Sequence, residues 1–219
     1  MTNPKVQRKD VLSPKEIEEM LRKADEIYEW EYFRLRAKAL ISLFRSGKRR
    51  GEVVALEMSD LRVEDGFLYI TFTTEKKRRK KVLTVRRTKR YPLSSKYAKY
   101  ILDYWMWMKK HHPECRFLFP SIKSIFGGVY IFSRDKHLSG RHVLRIIKEL
   151  NPRAWCHLFR ETRGAEIVKR DEQKKGAADI FTVYKVKHAL DLEREQTAWR
   201  YINRYATETI TPEETEIIE

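Results

Sequence analysis

The feature that most constrains the fold is a run of six consecutive basic residues at positions 76–81. Six adjacent cationic side chains cannot all be buried, because an unpaired charge in a protein interior costs too much free energy. The segments on either side, Phe67 to Thr74 and Val82 to Val85, are rich in aromatic and β-branched residues, and an Asp65-Gly66 turn precedes the first. The sequence therefore predicts two antiparallel strands with a strongly basic connection.

Most of the remaining chain shows helical periodicity. Ser13, Pro14 and Glu16 are typical of a helix start, and apolar residues then recur every three to four positions. Further helices are predicted over residues 31–43, 49–57, 95–112, 139–150, 155–170, 181–190 and 193–205. Residues 121–138 lack a clear period and predict loop with some strand, and residues 171–178 interrupt the helical pattern. We expect a mainly α fold with a small antiparallel β-sheet, in the α+β class.

The domain organisation predicted from the sequence is simple. A length of 219 residues suits one domain. We expect a flexible basic lead at residues 1–10, a single domain at 11–205 and an acidic tail at 206–219. Residues 211–219 of this tail contain four glutamates and no basic residue.

The charge of the chain indicates its partner. A formal net charge of +16 predicts a polyanionic partner, with nucleic acid as the first candidate, although a merely solubilising surface is the alternative. The two cysteines, Cys115 and Cys156, are too few for a disulfide framework. Neither a signal peptide nor a membrane-spanning stretch is apparent. We therefore expect a cytoplasmic protein without membrane association, metal or cofactor.

Four motifs that suit phosphodiester chemistry follow one another along the chain. They are Ser46-Gly47-Lys48-Arg49 with Glu52 and Asp60-Leu61; the basic hairpin; His157-Leu158-Phe159-Arg160; and His188 followed by Arg200-Tyr201. Each motif alone occurs by chance in many proteins. The ordered set, on a chain this basic, is far more specific.

This ordered set resembles the tyrosine recombinase, or integrase, family over about residues 11–205. The family has a Thr-Gly-Leu-Arg-x-x-Glu-Leu box, a lysine in a β-hairpin, a His-x-Leu-Arg box and a Leu-Gly-His segment followed by a helix with Arg-Tyr. The resemblance implies the tyrosine recombinase catalytic-domain fold and self-assembly as a tetramer on DNA, with the tail docked on a neighbouring subunit. It implies the catalytic residues Arg49, Lys77, His157, Arg160, His188 and Tyr201.

Two of these assignments keep alternatives. The spacing from His188 to Tyr201 is about one helical turn longer than is common in the family, so Tyr205, one turn later, is the second candidate nucleophile. Lys77 is the first candidate for the hairpin lysine, and Lys89 is a distant one. Lys76, Lys80 and Lys81 are further candidates for this lysine. We expect the basic residues of the run other than Lys77 to contact DNA, namely Lys76, Arg78, Arg79, Lys80 and Lys81.

The residue types fit displacement at a DNA phosphate. Negative charge grows on the phosphate oxygens, and two arginines, Arg49 and Arg160, can bind them with permanently charged, bidentate groups. A tyrosine hydroxyl can attack phosphorus once a base takes its proton, and histidines can carry that proton. Glu52 is expected to orient an arginine. The alternatives to site-specific recombination are type IB topoisomerase-like relaxation and a non-catalytic DNA-binding protein with the same fold.

Overall fold

The structure of the protein is a computed structural model that describes residues 11–78, 81–126 and 129–207. These residues form two compact units. The larger unit contains residues 14–44 and 48–156, and the smaller one contains residues 11–13, 45–47 and 157–207. Within the described ranges, every helix is too short or too polar to cross a membrane.

The larger unit combines helices with two antiparallel sheets. In chain order its elements are α1 (Pro14–Ile27), α2 (Glu31–Arg45), α3 (Arg50–Val54), a 3-10 turn (Met58–Asp60), β1 (Leu61–Glu64), β2 (Phe67–Arg78), β3 (Lys81–Pro92), α4 (Lys96–His111), β4 (Pro120–Phe126), β5 (Val129–His137) and α5 (Gly140–Leu150). Helix α2 is apolar on most of its sides and is buried accordingly, which places it at the centre of this unit.

The predicted basic hairpin is confirmed as the β2–β3 pair. The ladder runs from the pairing of Phe67 with Pro92 to that of Arg78 with Lys81, and β1 adds a third strand beside β2. Leu68, Ile70 and Phe72 alternate toward the core, as a half-buried strand requires. Both strands are longer than predicted because the ladder continues through the basic residues. Arg79 and Lys80 lie outside the described residues.

A second hairpin, β4–β5, occupies most of the segment for which the sequence predicts loop with some strand. Its register shifts between Pro120 and Ile122 and again between Ile122 and Ser124. Each shift moves subsequent side chains to the opposite face, so the alternation of period two that marks a strand is lost from the sequence. The helices predicted over 95–112 and 139–150 are confirmed as α4 and α5.

The smaller unit is built from three helices, α6 (Cys156–Lys175), α7 (Ile180–Ala189) and α8 (Glu195–Tyr205). Helix α6 continues through residues 171–175, where the sequence predicts an interruption. Asp171 is buried there, and its carboxylate accepts hydrogen bonds from Lys185 at 2.7 Å and Thr182 at 3.2 Å. Because Lys185 and Thr182 of α7 satisfy its carboxylate, Asp171 can be buried within a continuous helix. The aromatic stripe of α8 joins the aliphatic core of this unit through Tyr201 and Tyr205.

Candidate active site

The predicted catalytic residues are distributed over both compact units. His157, Arg160, His188 and Tyr201 belong to the smaller unit, whereas Arg49 and Lys77 belong to the larger one. The backbone of Lys77 lies in β2 opposite Val82. The side chains of Lys76, Lys77, Arg78 and Lys81 lie outside the described part of the structure, as do Arg79 and Lys80 entirely. The lysine assignment therefore stays a prediction.

Arg49 stands at the start of α3 and is held by a buried carboxylate. Glu52 accepts hydrogen bonds from the Arg49 backbone N–H, the Arg49 guanidinium and the Thr74 hydroxyl, each at 2.8 Å. Burial raises the pKa of Glu52, but these hydrogen bonds outweigh it and hold the pKa below its ordinary value. Glu52 contacts the arginine as expected. The Arg49 side chain keeps 43% of its surface exposed, so an anion can reach it.

Arg160 is a buried cation on α6 that binds two backbone carbonyls. Only 4% of the residue is exposed. One guanidinium nitrogen, Nη1, donates to the carbonyl oxygen of Gly47 at 2.6 Å, and Nη2 donates to that of Leu190 at the end of α7. Gly47 has a φ of 84°, and an added Cβ would lie 2.6 Å from the Leu190 side chain. Glycine is therefore required at this anchoring point.

The two predicted histidines stand at opposite ends of their helices. His157 lies in the first turn of α6, and its side chain is 64% exposed. His188 lies in the last turn of α7 and is also exposed, two positions before Leu190, whose carbonyl binds Arg160. Both imidazoles are thus accessible to a ligand from solvent.

A carboxylate that the sequence analysis did not single out, Glu161, links α6 to α8. One oxygen, Oε1, lies 3.0 Å from His157 Nε2, and the other, Oε2, accepts from Arg204 Nη1 and the Tyr205 hydroxyl at 3.0 Å each. Burial raises the pKa of Glu161, but hydrogen bonds from His157 and Tyr205 and the charge of Arg204 lower it to about 2. Only its position one turn after His157 signals this contact in the sequence.

The two candidate tyrosines lie in different electrostatic surroundings. Tyr201 is 7% exposed. Burial and the charge of Glu161 raise the pKa of its hydroxyl, and the Arg160 guanidinium acts in the opposite direction. Tyr205 donates its hydroxyl hydrogen to Glu161, and burial together with this carboxylate raises its pKa to about 12.

The ring of Tyr201 packs directly on the backbone of α6. A Cβ added to Gly164 would lie 2.3 Å from Cδ1 and 2.5 Å from Cε1 of this ring, closer than any real contact. The glycine lies four positions, about one turn, after Arg160. The absence of a side chain at Gly164 therefore allows α8 to bring the tyrosine against the helix that carries the arginine. A phenol and a permanently charged guanidinium, group types that suit attack on a phosphate, thus belong to adjacent helices.

Comparisons with known proteins identify what this architecture resembles. A family model described as the phage integrase family matches residues 10–171. The XerH site-specific recombinase, bound to palindromic difH substrate in a post-cleavage complex, matches with a TM-score of 0.60 and 20% identity, over 89% of this chain and 50% of that one. The Tn1549 transposon integrase in complex with circular intermediate DNA matches with a TM-score of 0.52 and 14% identity, over 99% of this chain and 65% of that one.

The chain thus spans about half the length of XerH. At these identities, similarity to the solved structures establishes the fold, and the tyrosine recombinase catalytic-domain fold predicted from the sequence is confirmed. No curated protein sequence matches the chain.

The contact between Gly164 and Tyr201 predicts that adding one methyl group at position 164 lowers the free energy of unfolding. Gly164→Ala should destabilise the protein by about 1–3 kcal/mol, because the methyl group overlaps the Tyr201 ring. Urea unfolding monitored by circular dichroism measures this cost. Gly51→Ala, on a helical glycine with open space around it, is the matched control and should be neutral or stabilising by up to about 1 kcal/mol. Equal stability of the two variants would contradict the contact.

The lowered pKa of Glu161 predicts how its contribution to stability depends on pH. Its folded pKa of about 2 lies below the ordinary value of 4.5, so the contribution is complete above about pH 5 and is lost as pH falls toward 2. The stability difference between wild type and Glu161→Gln should be roughly 1 kcal/mol at neutral pH, reduced from the full shift because its partner His157 is largely exposed and solvent screens their contact. Urea midpoints measured from about pH 6 to about pH 3 should converge. A constant difference would contradict the assignment.

Proposed function

The chain belongs to the phage integrase family, and on that premise we propose that it is a site-specific DNA recombinase. It cuts and rejoins double-stranded DNA through a covalent 3′-phosphotyrosyl intermediate. The observation that carries the proposal is the packing of the Tyr201 ring on Gly164, one turn after the buried Arg160 on the same helix; the guanidinium also acts to lower the pKa of the phenol. A buried, anchored cation beside a tyrosine hydroxyl is the arrangement that attack on a phosphate requires.

In the proposed reaction, the Tyr201 oxygen forms a bond to phosphorus as the bond to the 5′ oxygen breaks. The phenol loses its proton to a histidine, His157 or His188, and the hairpin lysine, with Lys77 as first candidate, protonates the leaving 5′ oxygen. Arg49 and Arg160 stabilise the negative charge on the remaining phosphate oxygens. The phosphotyrosyl bond keeps the energy of the broken phosphodiester, so a 5′ hydroxyl can reverse the step without ATP.

The surroundings of the two tyrosines support Tyr201 as the nucleophile. The hydroxyl hydrogen of Tyr205 is bound by the Glu161 carboxylate, and its pKa of about 12 makes ionisation at neutral pH difficult. Burial and Glu161 raise the pKa of Tyr201 as well, and arginines act in the opposite direction at both hydroxyls: Arg204 at Tyr205, and Arg160 together with Arg204 at Tyr201. A cation stabilises the phenolate that forms during attack, whereas a carboxylate destabilises it.

The proposal extends to the DNA partner and to assembly. The net charge of +16 suits a polyanionic duplex, and the basic run of the β2–β3 hairpin supplies cations for its phosphates. We propose a tetramer on paired sites, in which the acidic tail of one subunit docks on a basic, partly apolar surface of the next. The tail combines Glu213, Glu214 and Glu216 with the apolar pair Ile217 and Ile218. Residues 208–219 lie outside the described residues.

A covalent trap tests the reaction and the nucleophile together. Nicked duplexes, enriched by binding from a random-sequence pool, are incubated with wild type, Tyr201→Phe and Tyr205→Phe and separated on a denaturing gel. A protein–DNA band should form with wild type and Tyr205→Phe and should be abolished by Tyr201→Phe, because only that variant lacks the attacking oxygen. A band lost only with Tyr205→Phe would move the nucleophile. Tight DNA binding without a band from any protein would favour a non-catalytic role.

Removal of the tail tests the proposed assembly. A variant without residues 207–219 should bind a single DNA site with a Kd close to that of wild type but form fewer tetramers on paired sites, as measured by analytical ultracentrifugation. A full-length variant with its tail glutamates changed to glutamine separates the role of charge from that of length. Unchanged tetramer formation after deletion would contradict tail docking. Relaxation of supercoiled DNA without tetramers would indicate a type IB topoisomerase-like activity instead.

A further inference from the structure

We propose that Glu161 is a positioning residue that sets two parts of the active site with one carboxylate, the His157 ring and the last turn of α8. The inference rests on the function proposed above, and it concerns a residue outside the motifs that carry the family resemblance. Glu161 directly follows Arg160, and 9% of it is exposed. It acts through its neighbours rather than on the DNA itself.

Both carboxylate oxygens are engaged, each with a different helix. Oε1 lies 3.0 Å from Nε2 of His157, one turn earlier on α6. Oε2 accepts from the Tyr205 hydroxyl and from Arg204 Nη1, both in the last turn of α8 and both at 3.0 Å. A single side chain thus connects the histidine on α6 with the helix that carries the nucleophile.

The contact with His157 determines which ring nitrogen carries hydrogen. An ionised carboxylate can only accept, so the hydrogen of a neutral imidazole resides on Nε2. The second nitrogen, Nδ1, then keeps its lone pair and can accept a proton, and the 64% exposure of the side chain leaves it accessible. It can donate to a phosphate oxygen only after it has accepted that proton. Without Glu161, the ring is free to rotate and to exchange tautomers.

The contacts with α8 fix the rotation of that helix. Tyr201 lies one turn before Tyr205, and its ring already packs on Gly164 of α6. Two attachments on the same helix, one at Tyr201 and one at Arg204 and Tyr205, restrain its rotation about its own axis. The same bond to Glu161 occupies the hydroxyl hydrogen of Tyr205 and so disfavours it as a competing nucleophile.

The charge of Glu161 argues against a role in helix stability alone. A negative charge here raises the pKa of Tyr201 and repels an incoming phosphate, so by itself it opposes the reaction. Arg204 acts in the opposite direction on the pKa of Tyr201. The alternative is an ordinary ion pair between residues one turn apart, which stabilises α6 by a few tenths of a kcal/mol. That alternative predicts an effect on stability and none on the rate of cleavage.

A double-mutant cycle with the full-length chain distinguishes the two roles. Single-turnover cleavage of the nicked duplex is measured for wild type, Glu161→Gln, His157→Ala and the double variant, with the Kd for the same duplex from fluorescence anisotropy. Glu161→Gln should slow cleavage about 10- to 100-fold and change the Kd by less than about threefold. The double variant should lose clearly less than the product of the two single losses, because both changes remove the same positioned ring and only the loss of the α8 contacts adds to the effect of His157→Ala.

Glu166→Gln is the matched control. Glu166 lies on the same helix and pairs with Arg45 at 2.7 Å and Arg163 at 3.5 Å, so its loss removes comparable ion pairs from α6. Its cleavage rate should stay within about twofold of wild type. Wild-type cleavage by Glu161→Gln, a comparable loss in Glu166→Gln, or fold-losses that multiply in the double variant would each overturn the proposal.

The ¹⁵N spectrum of the histidine side chains provides a readout independent of cleavage. The His157 signals, assigned by their absence from His157→Ala, should show hydrogen on Nε2 in wild type and should shift in Glu161→Gln. Unchanged His157 signals would overturn the role of Glu161 even if wild type forms no covalent adduct. Absence of an adduct from wild type, with the expected spectral shift, would refute the proposed reaction but leave the positioning of His157 intact.

Discussion

The buried guanidinium of Arg160 is the interaction on which the smaller unit depends. A permanent charge with 4% exposure is stable in a protein only when its donors are satisfied, and two of them bind the carbonyl oxygens of Gly47 and Leu190. The Gly47 carbonyl lies in the segment after α2, and the Leu190 carbonyl lies at the end of α7. The guanidinium therefore joins both of these segments to α6. The same group acts to lower the pKa of Tyr201, so the residue that joins these segments also influences the proposed nucleophile. A lysine could not replace it, because an ammonium lacks the planar set of donors.

The elements that could be predicted from the sequence are those with a regular pattern of apolar and polar residues along the element itself. The β2–β3 hairpin was predictable because its strands alternate and its basic connection has to face solvent. The β4–β5 hairpin was not, since two register shifts destroy the alternation. The extension of α6 through Asp171 depends on Lys185 of α7, a partner that no local pattern reveals. Tertiary contacts decided the structure in both places.

The candidate site shows the same division between motif and environment. Arg49, His157 and Arg160 could be located from the sequence because they occur in ordered motifs. The carboxylates that hold Arg49 and His157 differ in this respect: Glu52 belongs to the first motif, whereas Glu161 has two of its three partners on α8, more than 40 positions away. The sequence left Tyr201 and Tyr205 as alternatives, two aromatic residues on one face of a helix, and Tyr201 is proposed on the basis of the neighbours of each hydroxyl in the structure.

The close approach of Tyr201 to Gly164 couples two positions on different helices. As long as an aromatic ring occupies position 201, position 164 has no room for a side chain, and natural drift at either site is restricted by the other. A descendant that lost the tyrosine would be released from this restriction and could fill the glycine with any small residue. The pair therefore offers a means of sorting relatives by inspection: those that keep both residues retain the close packing of α8 on α6, and those that have replaced both have lost the proposed nucleophile together with the contact that restrains it.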